Sequence, residues 1–436
     1  MENIFIKLFK KSSIENIGII LFLSGIFFLP STLLFGVSFL LPAAIMGSFL
    51  QQKSFFKDKW NYPFLIFGLL ILISSLLQNF ILTNPYDEIW DPKLSLIGLG
   101  NWLPFLWLFW GFQPYLNTRL KREKFALFLT AGTLPVFVTG FGQYFFNWHG
   151  PFETLNGLII WYQRPIDDPG GLSGLFNNQN YTGSWLNFVW PFSLALFLDK
   201  SNIFLKKIFA FSFLFSIGLA NFLTYSRNAW IGLITTLPLI LGKKGITMFV
   251  YLLSIIIFLY LLLSFFSYFF TSEIQNSLLN IPMKIYLEFS NKGYNTINSQ
   301  RLEIYLSALN LIMINPIFGI GAASFSSIYF LETNLWKGHS HNLFFELAIS
   351  YGLPATLIFF IAVFTIILLS GRLLIIRNPD NNISLIDRAF WTAIVVFILS
   401  QLFDIQYFDG KISITAWILI SGLKCIITES SYKTVK

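Results

Sequence analysis

Arg227 lies in the turn Thr224-Tyr-Ser-Arg-Asn-Ala-Trp230, a segment too short for a casual loop and flanked by interface-loving aromatics. A guanidinium there can grip a phosphate with a two-pronged pair of hydrogen bonds. The plainer alternative is a side chain reaching out to lipid headgroups. Arg301 opens a helical run that Ser299 or Asn298 can cap and Pro316 ends. The helix dipole disfavours a cation in a first turn. Arg301 is therefore either paired with Glu303 or Glu288, or a second clamp on an anion. His339 and His341 flank Ser340 just before an apolar helix. An imidazole titrates near working pH and can take a proton from a hydroxyl, with Asn342 and Glu346 to orient it. Which of the two histidines acts stays open. Their spacing can also serve a metal, but no nearby cysteine or carboxylate completes a set, so no metal is expected. His149, alone in its loop, reads as structural or interfacial.

The stretch from Ser299 to Tyr351 organises these residues. The chain stays polar for residues 271–340, between two apolar runs, which is long enough for a functional element. Leu302, Leu306, Leu309 and Met313 form one stripe of the helix that Arg301 opens, spaced for lying on a bilayer or on a bundle. A second stretch, Gly170-Gly-Leu-Ser-Gly-Leu-Phe-Asn-Asn-Gln-Asn180, has glycines that permit close backbone approach and amides that can hold a ligand or cap a helix.

The rest of the chain positions them in a membrane. Of 436 residues, 55% are hydrophobic and only 11% charged. Soluble domains carry about 25% charged residues. Apolar runs near 15–31, 33–50, 62–82, 95–115, 124–146, 181–198, 206–224, 228–242, 246–270, 341–369, 388–404 and 412–428 predict an all-α polytopic bundle of about twelve transmembrane helices. The first two meet at Pro30-Ser31 as a tight hairpin. The whole chain, 1–436, reads as one integral membrane domain with the 271–340 loop inside it.

The net charge of +8 fits the bias of short cytoplasmic loops and not nucleic-acid binding. Lysine and arginine clusters at 7–11, 53–59, 119–124, 200–207, 243–244 and 372–388 all fall on one side of this arrangement. Both termini are then cytoplasmic. Arg164, Arg227, Lys284, Lys292, Arg301 and Lys337 are outward exceptions. The lysines at 7–11 before an apolar run mimic a signal peptide, but without a clear cleavage site the run reads as an uncleaved span. The single cysteine, Cys425, allows no internal disulfide.

Gly174-Leu-Phe-Asn-Asn-Gln-Asn180, Leu223-Thr-Tyr-Ser-Arg-Asn-Ala-Trp230, Arg301 with its helix into Asn315-Pro316-Ile-Phe-Gly-Ile-Gly321, and His341-Asn342-Leu-Phe-Phe-Glu-Leu ahead of Tyr351-Gly-Leu-Pro together resemble the O-antigen ligase/polymerase family over roughly residues 160–360. The resemblance implies a GT-C-like helical bundle in the bacterial inner membrane, with a long periplasmic loop and a periplasm-facing site. It implies transfer of a glycan from an undecaprenyl-pyrophosphate carrier to lipid A-core, or its extension on the same carrier, with neither metal nor cofactor. Its partners are then the carrier-linked glycan, a lipid or glycan acceptor and membrane lipids. Carried over, Arg227 and Arg301 hold the pyrophosphate and His341 assists the acceptor hydroxyl. Arg164, Asn180, His339 and Asn342 are expected to bind substrate. The family's usual Asn-Pro-Asn is Asn-Gln-Asn at 178–180.

Chemistry and resemblance agree. A departing diphosphate gains charge, and two arginines in a partly dry site stabilise that charge most in the transition state. Two other classes compete. Some members of the broad family have been labelled inorganic-carbon transporters, and a bicarbonate-type transporter would place ionisable groups mid-membrane. A scaffold of an export complex would make the arginines and histidine dispensable.

Overall fold

The computed structural model describes residues 11–51, 53–82, 86, 88–166, 170–199, 203–267, 297–377 and 384–434. Expectations resting on Lys7, Lys10, Lys200, Lys284, Glu288 and Lys292 lie outside the described residues.

The fold is all-α and polytopic. Along the chain run α1 (Lys11–Phe28), α2 (Leu33–Leu50), α3 (Tyr62–Phe80), α4 (Lys93–Gly98), α5 (Leu103–Gly111), α6 (Arg119–Gly132) and α7 (Leu134–Phe146). A two-stranded hairpin, β1 (Phe152–Thr154) and β2 (Ile159–Trp161), then interrupts the helices. It is followed by α8 (Gln179–Leu198), α9 (Phe204–Leu223), α10 (Arg227–Ile240) and α11 (Lys243–Ser267). The last group is α12 (Ile297–Ile314), α13 (Ser324–Thr333), α14 (Leu343–Tyr351), α15 (Leu353–Gly371), α16 (Leu385–Ser400) and α17 (Gly410–Thr434).

Among the described residues, 8 helical segments are long and apolar enough to cross a membrane, and Ser13–Phe28 is a shorter apolar helix. The sequence suggested about twelve, and the difference has physical causes. Helices α10 and α16 are only 14 and 16 residues long. Helix α8 has full length but carries Gln179, Asn180 and Asn187, and it is buried on nearly every side by α9, α10 and α16. A helix screened from lipid by its neighbours has no need to be apolar throughout. Helix α11, by contrast, is almost wholly exposed and apolar, as a lipid-facing helix should be.

The predicted span 341–369 is two helices. Gly352, at φ 87°, breaks it into α14 and α15. The Asn315–Gly321 turn docks on this break, backbone to backbone. Leu353 N–H donates to the Pro316 carbonyl at 2.8 Å and Ile320 N–H to the Ile349 carbonyl at 2.7 Å. A Cβ on Gly352 would stand 2.0 Å from the Ile317 oxygen, and one on Gly319 would stand 2.6 Å from the Ile349 oxygen. Two motifs that looked separate are thus the two halves of one joint. Ser74 and Gln78 of α3 close it, both donating to the Phe318 carbonyl. Interhelical hydrogen bonds of this kind, more than apolar burial, hold helices together in lipid.

Helix α12 also differs from expectation. Asn298 and Ser299 lie within the helix and not ahead of it. The face packed on the protein is Ile304, Ala308, Leu311 and Ile312, whereas Leu302, Leu306, Leu309 and Met313 are exposed. The stripe therefore faces away from the bundle.

The bundle has two chemically distinct ends. At one, Arg122 is 1% exposed and donates to both Asp387 oxygens at 2.6 and 3.0 Å and to Glu429 at 2.8 Å. Lys424 pairs with Asp58 at 2.8 Å nearby in sequence on α17. Arg388 lies against Gly242, just before Lys243 and Lys244. Helix α16 carries the chain from Asp387 to Ser400, roughly 20 Å at 1.5 Å per residue. The residues singled out for chemistry gather at that other end.

Candidate active site

The turn after α16, residues 400–404, is the hub. Gln401 shapes it: its Nε2 donates to Gln406 Oε1 at 2.7 Å, and its Oε1 accepts the Gln406 and Tyr407 N–H groups at 3.1 and 3.2 Å. Four other segments bond to this turn. Asn228, beside Arg227, donates to the Ser400 carbonyl at 3.3 Å. Tyr305 of α12 and Asn342 both donate to the Leu402 carbonyl, at 3.1 and 3.2 Å. Asn180, in the first turn of α8, donates to Asp404 Oδ2 at 2.9 Å.

His341 meets the same carboxylate. Its Nδ1 lies 2.8 Å from Asp404 Oδ1. An ionised carboxylate only accepts, so Nδ1 carries the hydrogen, and in the neutral ring the lone pair is then on Nε2. His341 sits at φ 55°, a left-handed conformation uncommon for residues other than glycine. In that conformation its N–H donates to His339 Nδ1 at 3.1 Å. Burial is the main cause that pushes the His339 imidazole down to about 4, with Asp404 opposing. His339 is then neutral at working pH, with its hydrogen on Nε2, 3.7 Å from Asp404 Oδ1. Burial alone would raise the Asp404 carboxyl. The hydrogen bond from His341 and the nearby imidazoles outweigh it and hold the group below the usual carboxylate range. Glu346 secures the loop from its other side by accepting the Ser340 N–H at 2.9 Å.

Two of the arginines sit on segments that reach the same turn, Arg227 next to Asn228 and Arg301 one helical turn before Tyr305. Arg227 begins α10 with its side chain exposed, after Ser226 caps the helix through the Ala229 N–H at 3.4 Å. Leu172 N–H bonds the Leu223 carbonyl at 2.9 Å, and a Cβ on Gly171 would stand 2.1 Å from the Thr224 oxygen. The Gly-rich segment thereby braces the Arg227 turn. Gln143 joins the segment to the Arg164 loop: its Oε1 accepts from Ser173 and Gly174 at 2.9 Å, and its Nε2 donates to the Arg164 carbonyl at 2.7 Å. Exposed Arg164 itself donates to Asn177 Oδ1 at 3.2 Å. Gln179, where the resemblance leads one to expect proline, accepts the Gly171 N–H at 2.6 Å and adds a tie that proline cannot make. Arg301 is on α12 one turn before Tyr305, whose phenol feels the Arg301 and Asp404 charges together.

The sequence-selected residues take different positions. Arg227 and Arg164 present side chains to solvent, and Arg301 is partly exposed. Asn180 and His339 buttress Asp404 and His341. Asn342 caps α14 through the Phe344 and Phe345 N–H groups at 2.9 and 3.3 Å while its Nδ2 holds Leu402, so both ends of its amide are engaged. Asp404 was missed as a site residue. A loop carboxylate is no signal by itself, and only the fold closes the 63 residues of chain separating it from His341.

That residue also corrects the argument against a metal. Among the described residues, ligand atoms of His339, His341 and Asp404 lie within 4.8 Å of one another, so a carboxylate does complete the set. The hydrogen bonding fits a metal poorly. To ligate through Nε2, His339 needs its hydrogen on Nδ1, the atom that accepts the His341 N–H.

Residues 210–360 match the family model described as O-antigen ligase. The resemblance read from the motifs holds over that segment, which contains Arg227, Arg301, His339, His341 and Asn342. Arg164, Asn180 and Asp404 lie outside it. No curated protein matches the chain.

Proposed function

We propose that this chain, a polytopic membrane protein with an O-antigen ligase domain, transfers a glycan from an undecaprenyl-diphosphate carrier to a hydroxyl of lipid A-core or a similar surface acceptor. His341 Nε2 takes the acceptor proton, and the acceptor oxygen attacks the anomeric carbon. The bond from that carbon to the diphosphate breaks, and its electron pair leaves on the lipid diphosphate. Arg227 and Arg301 receive the growing negative charge, with Arg164 at the rim. Asp404 stabilises the imidazolium and fixes the His341 tautomer. One displacement inverts the anomeric carbon.

The observation that carries this reading is the 2.8 Å contact between His341 Nδ1 and Asp404 Oδ1. It supports a directed base beside the 400–404 turn, which the segments carrying Arg227 and Arg301 also reach through Asn228 and Tyr305. That turn lies opposite the buried Arg122–Asp387–Glu429 cluster, which marks the end that basic loop residues suggest is cytoplasmic. The proposed site then opens to the periplasm.

Extension of the glycan on the carrier uses the same groups with a different acceptor. Deletion of the gene followed by gel analysis of surface polysaccharide separates the two. Loss of long chains from lipid A-core, with carrier-linked polymer retained, means ligase, and single-repeat chains mean polymerase. Normal surface glycan after deletion rules out both. Uptake of labelled bicarbonate into vesicles tests the transporter alternative directly.

A further inference from the structure

One backbone carbonyl joins the loop that carries His341 to the helix that carries Arg301. The Leu402 oxygen accepts from Asn342 Nδ2 at 3.2 Å and from the Tyr305 hydroxyl at 3.1 Å. A carbonyl has two lone pairs, so it can serve both donors at once. Asn342 directly follows His341, and Tyr305 lies four residues after Arg301. Residues four apart are neighbours on a helix surface, so Arg301 and Tyr305 share one face of α12. The base-bearing loop and the arginine-bearing helix are therefore tied to a single oxygen.

The other contacts of α12 do not make this tie. Ile304, Ala308, Leu311 and Ile312 pack it onto α13 and α14, and no residue of the 400–404 turn belongs to that cluster. Apolar packing is also non-directional, whereas a hydrogen bond prefers a narrow range of angles. Among the described residues, the Tyr305 bond is the one hydrogen bond between α12 and the turn. Phe345 of α14 meets the Tyr305 ring at 75° with centroids 5.6 Å apart, which fixes the direction of the hydroxyl. Burial is the main cause that pushes the Tyr305 phenol up, with Asp404 adding and Arg301 opposing. Tyr305 thus stays a neutral donor at working pH. The bond lies at the surface, where water competes for it, so its contribution is to placement more than to global stability.

We infer that Tyr305 is a positioning residue for the transfer: its hydroxyl, held on the Leu402 carbonyl, keeps Arg301 at a fixed reach from His341. The guanidinium then meets the lipid diphosphate while the imidazole meets the acceptor hydroxyl. The inference rests on the transfer reading above and adds what sets the spacing of its groups. Tyr305 acts through Arg301 and not through Arg227, whose segment reaches the turn separately by way of Asn228.

The test uses the full-length protein in lipid nanodiscs. Undecaprenyl diphosphate is the probe for direct binding, and single-turnover transfer to lipid A-core is measured separately. Tyr305→Phe keeps the ring on Phe345 and removes only the hydroxyl. It is made alone, with Arg301→Lys and with Arg227→Lys. The expected result for Tyr305→Phe is roughly fivefold weaker binding at a near wild-type melting temperature. Added to Arg301→Lys it should weaken binding no further, because the group it positions is already gone. Added to Arg227→Lys the two losses should multiply, as independent sites do. A merely structural role predicts a loss that multiplies with both arginine variants. That pattern, wild-type binding by Tyr305→Phe, or wild-type binding by Arg301→Lys overturns the inference. A wild type that binds the carrier but transfers nothing contradicts the transfer reading, while the binding cycle still decides Tyr305. A wild type that does not bind undecaprenyl diphosphate overturns both.

Discussion

Asp404 Oδ1 lies 2.8 Å from His341 Nδ1 across 63 residues of chain, while Asn180 holds the other carboxylate oxygen at 2.9 Å. The carboxylate thus has one oxygen for the base and one for its own support. If Asp404 sets the tautomer, Asp404→Asn leaves the loop in place but lets an amide N–H face Nδ1, which moves the hydrogen to Nε2. Transfer should fall by about 10²–10⁴-fold. Purified variant and wild type are compared in single-turnover assays, and equal rates would falsify the pairing as a functional one.

Arg227 and Arg301 are assigned to a diphosphate, and lysine is a poor replacement for a guanidinium fork. Arg227→Lys and Arg301→Lys should each raise the donor KM roughly tenfold or more while acceptor KM holds, since hydrogen bonds to charged groups contribute about 1.5–3 kcal/mol. Steady-state titration of each substrate checks this. A lysine variant with wild-type donor KM would return that arginine to the headgroup-anchor role.

His339 gives a pH dependence with a definite sign. Its folded value of about 4 lies below its ordinary 6.5, so between these the unfolded chain binds a proton that the folded chain does not. Stability is fully present above pH 6.5 and is lost as pH falls toward 4. Roughly 2 kcal/mol should go between pH 7.5 and 5. His339→Asn keeps an acceptor for the His341 N–H without the titration, and should lose less. Melting temperatures of nanodisc-held protein at the two pH values check it. Equal losses in both proteins would count against a neutral buried His339.

The opposite end of the bundle is expected to matter for stability alone. Arg122→Leu leaves Asp387 and Glu429 without their shared cation and should cost about 3–5 kcal/mol. Combining it with Asp387→Leu should recover much of that. Donor and acceptor KM of whatever protein folds should stay at wild-type values. A selective loss of donor affinity would mean that the two ends are coupled.

The fold was largely legible because lipid imposes one rule, and hydropathy with basic-loop alternation follows it. It found α8, although that helix hides from lipid, but it missed the break that Gly352 puts into the 341–369 run. Arg227, Arg301 and His341 were legible as cations and an imidazole in costly places. Asp404 was not, because a carboxylate in an outward loop is ordinary until a distant histidine meets it. The Leu302–Met313 stripe was seen, but periodicity does not report whether such a stripe meets the bundle or faces away from it, and here it is Ile304, Ala308, Leu311 and Ile312 that pack.

The central claim is that His341 is the base for glycan transfer. Asparagine tolerates the left-handed conformation that position 341 adopts, so His341→Asn removes the imidazole with little strain. Single-turnover transfer from undecaprenyl-diphosphate-linked glycan to lipid A-core is the deciding measurement. The predicted result is a folded His341→Asn protein that still binds both substrates and transfers at least about a hundredfold more slowly. Transfer at the wild-type rate by that protein would contradict it.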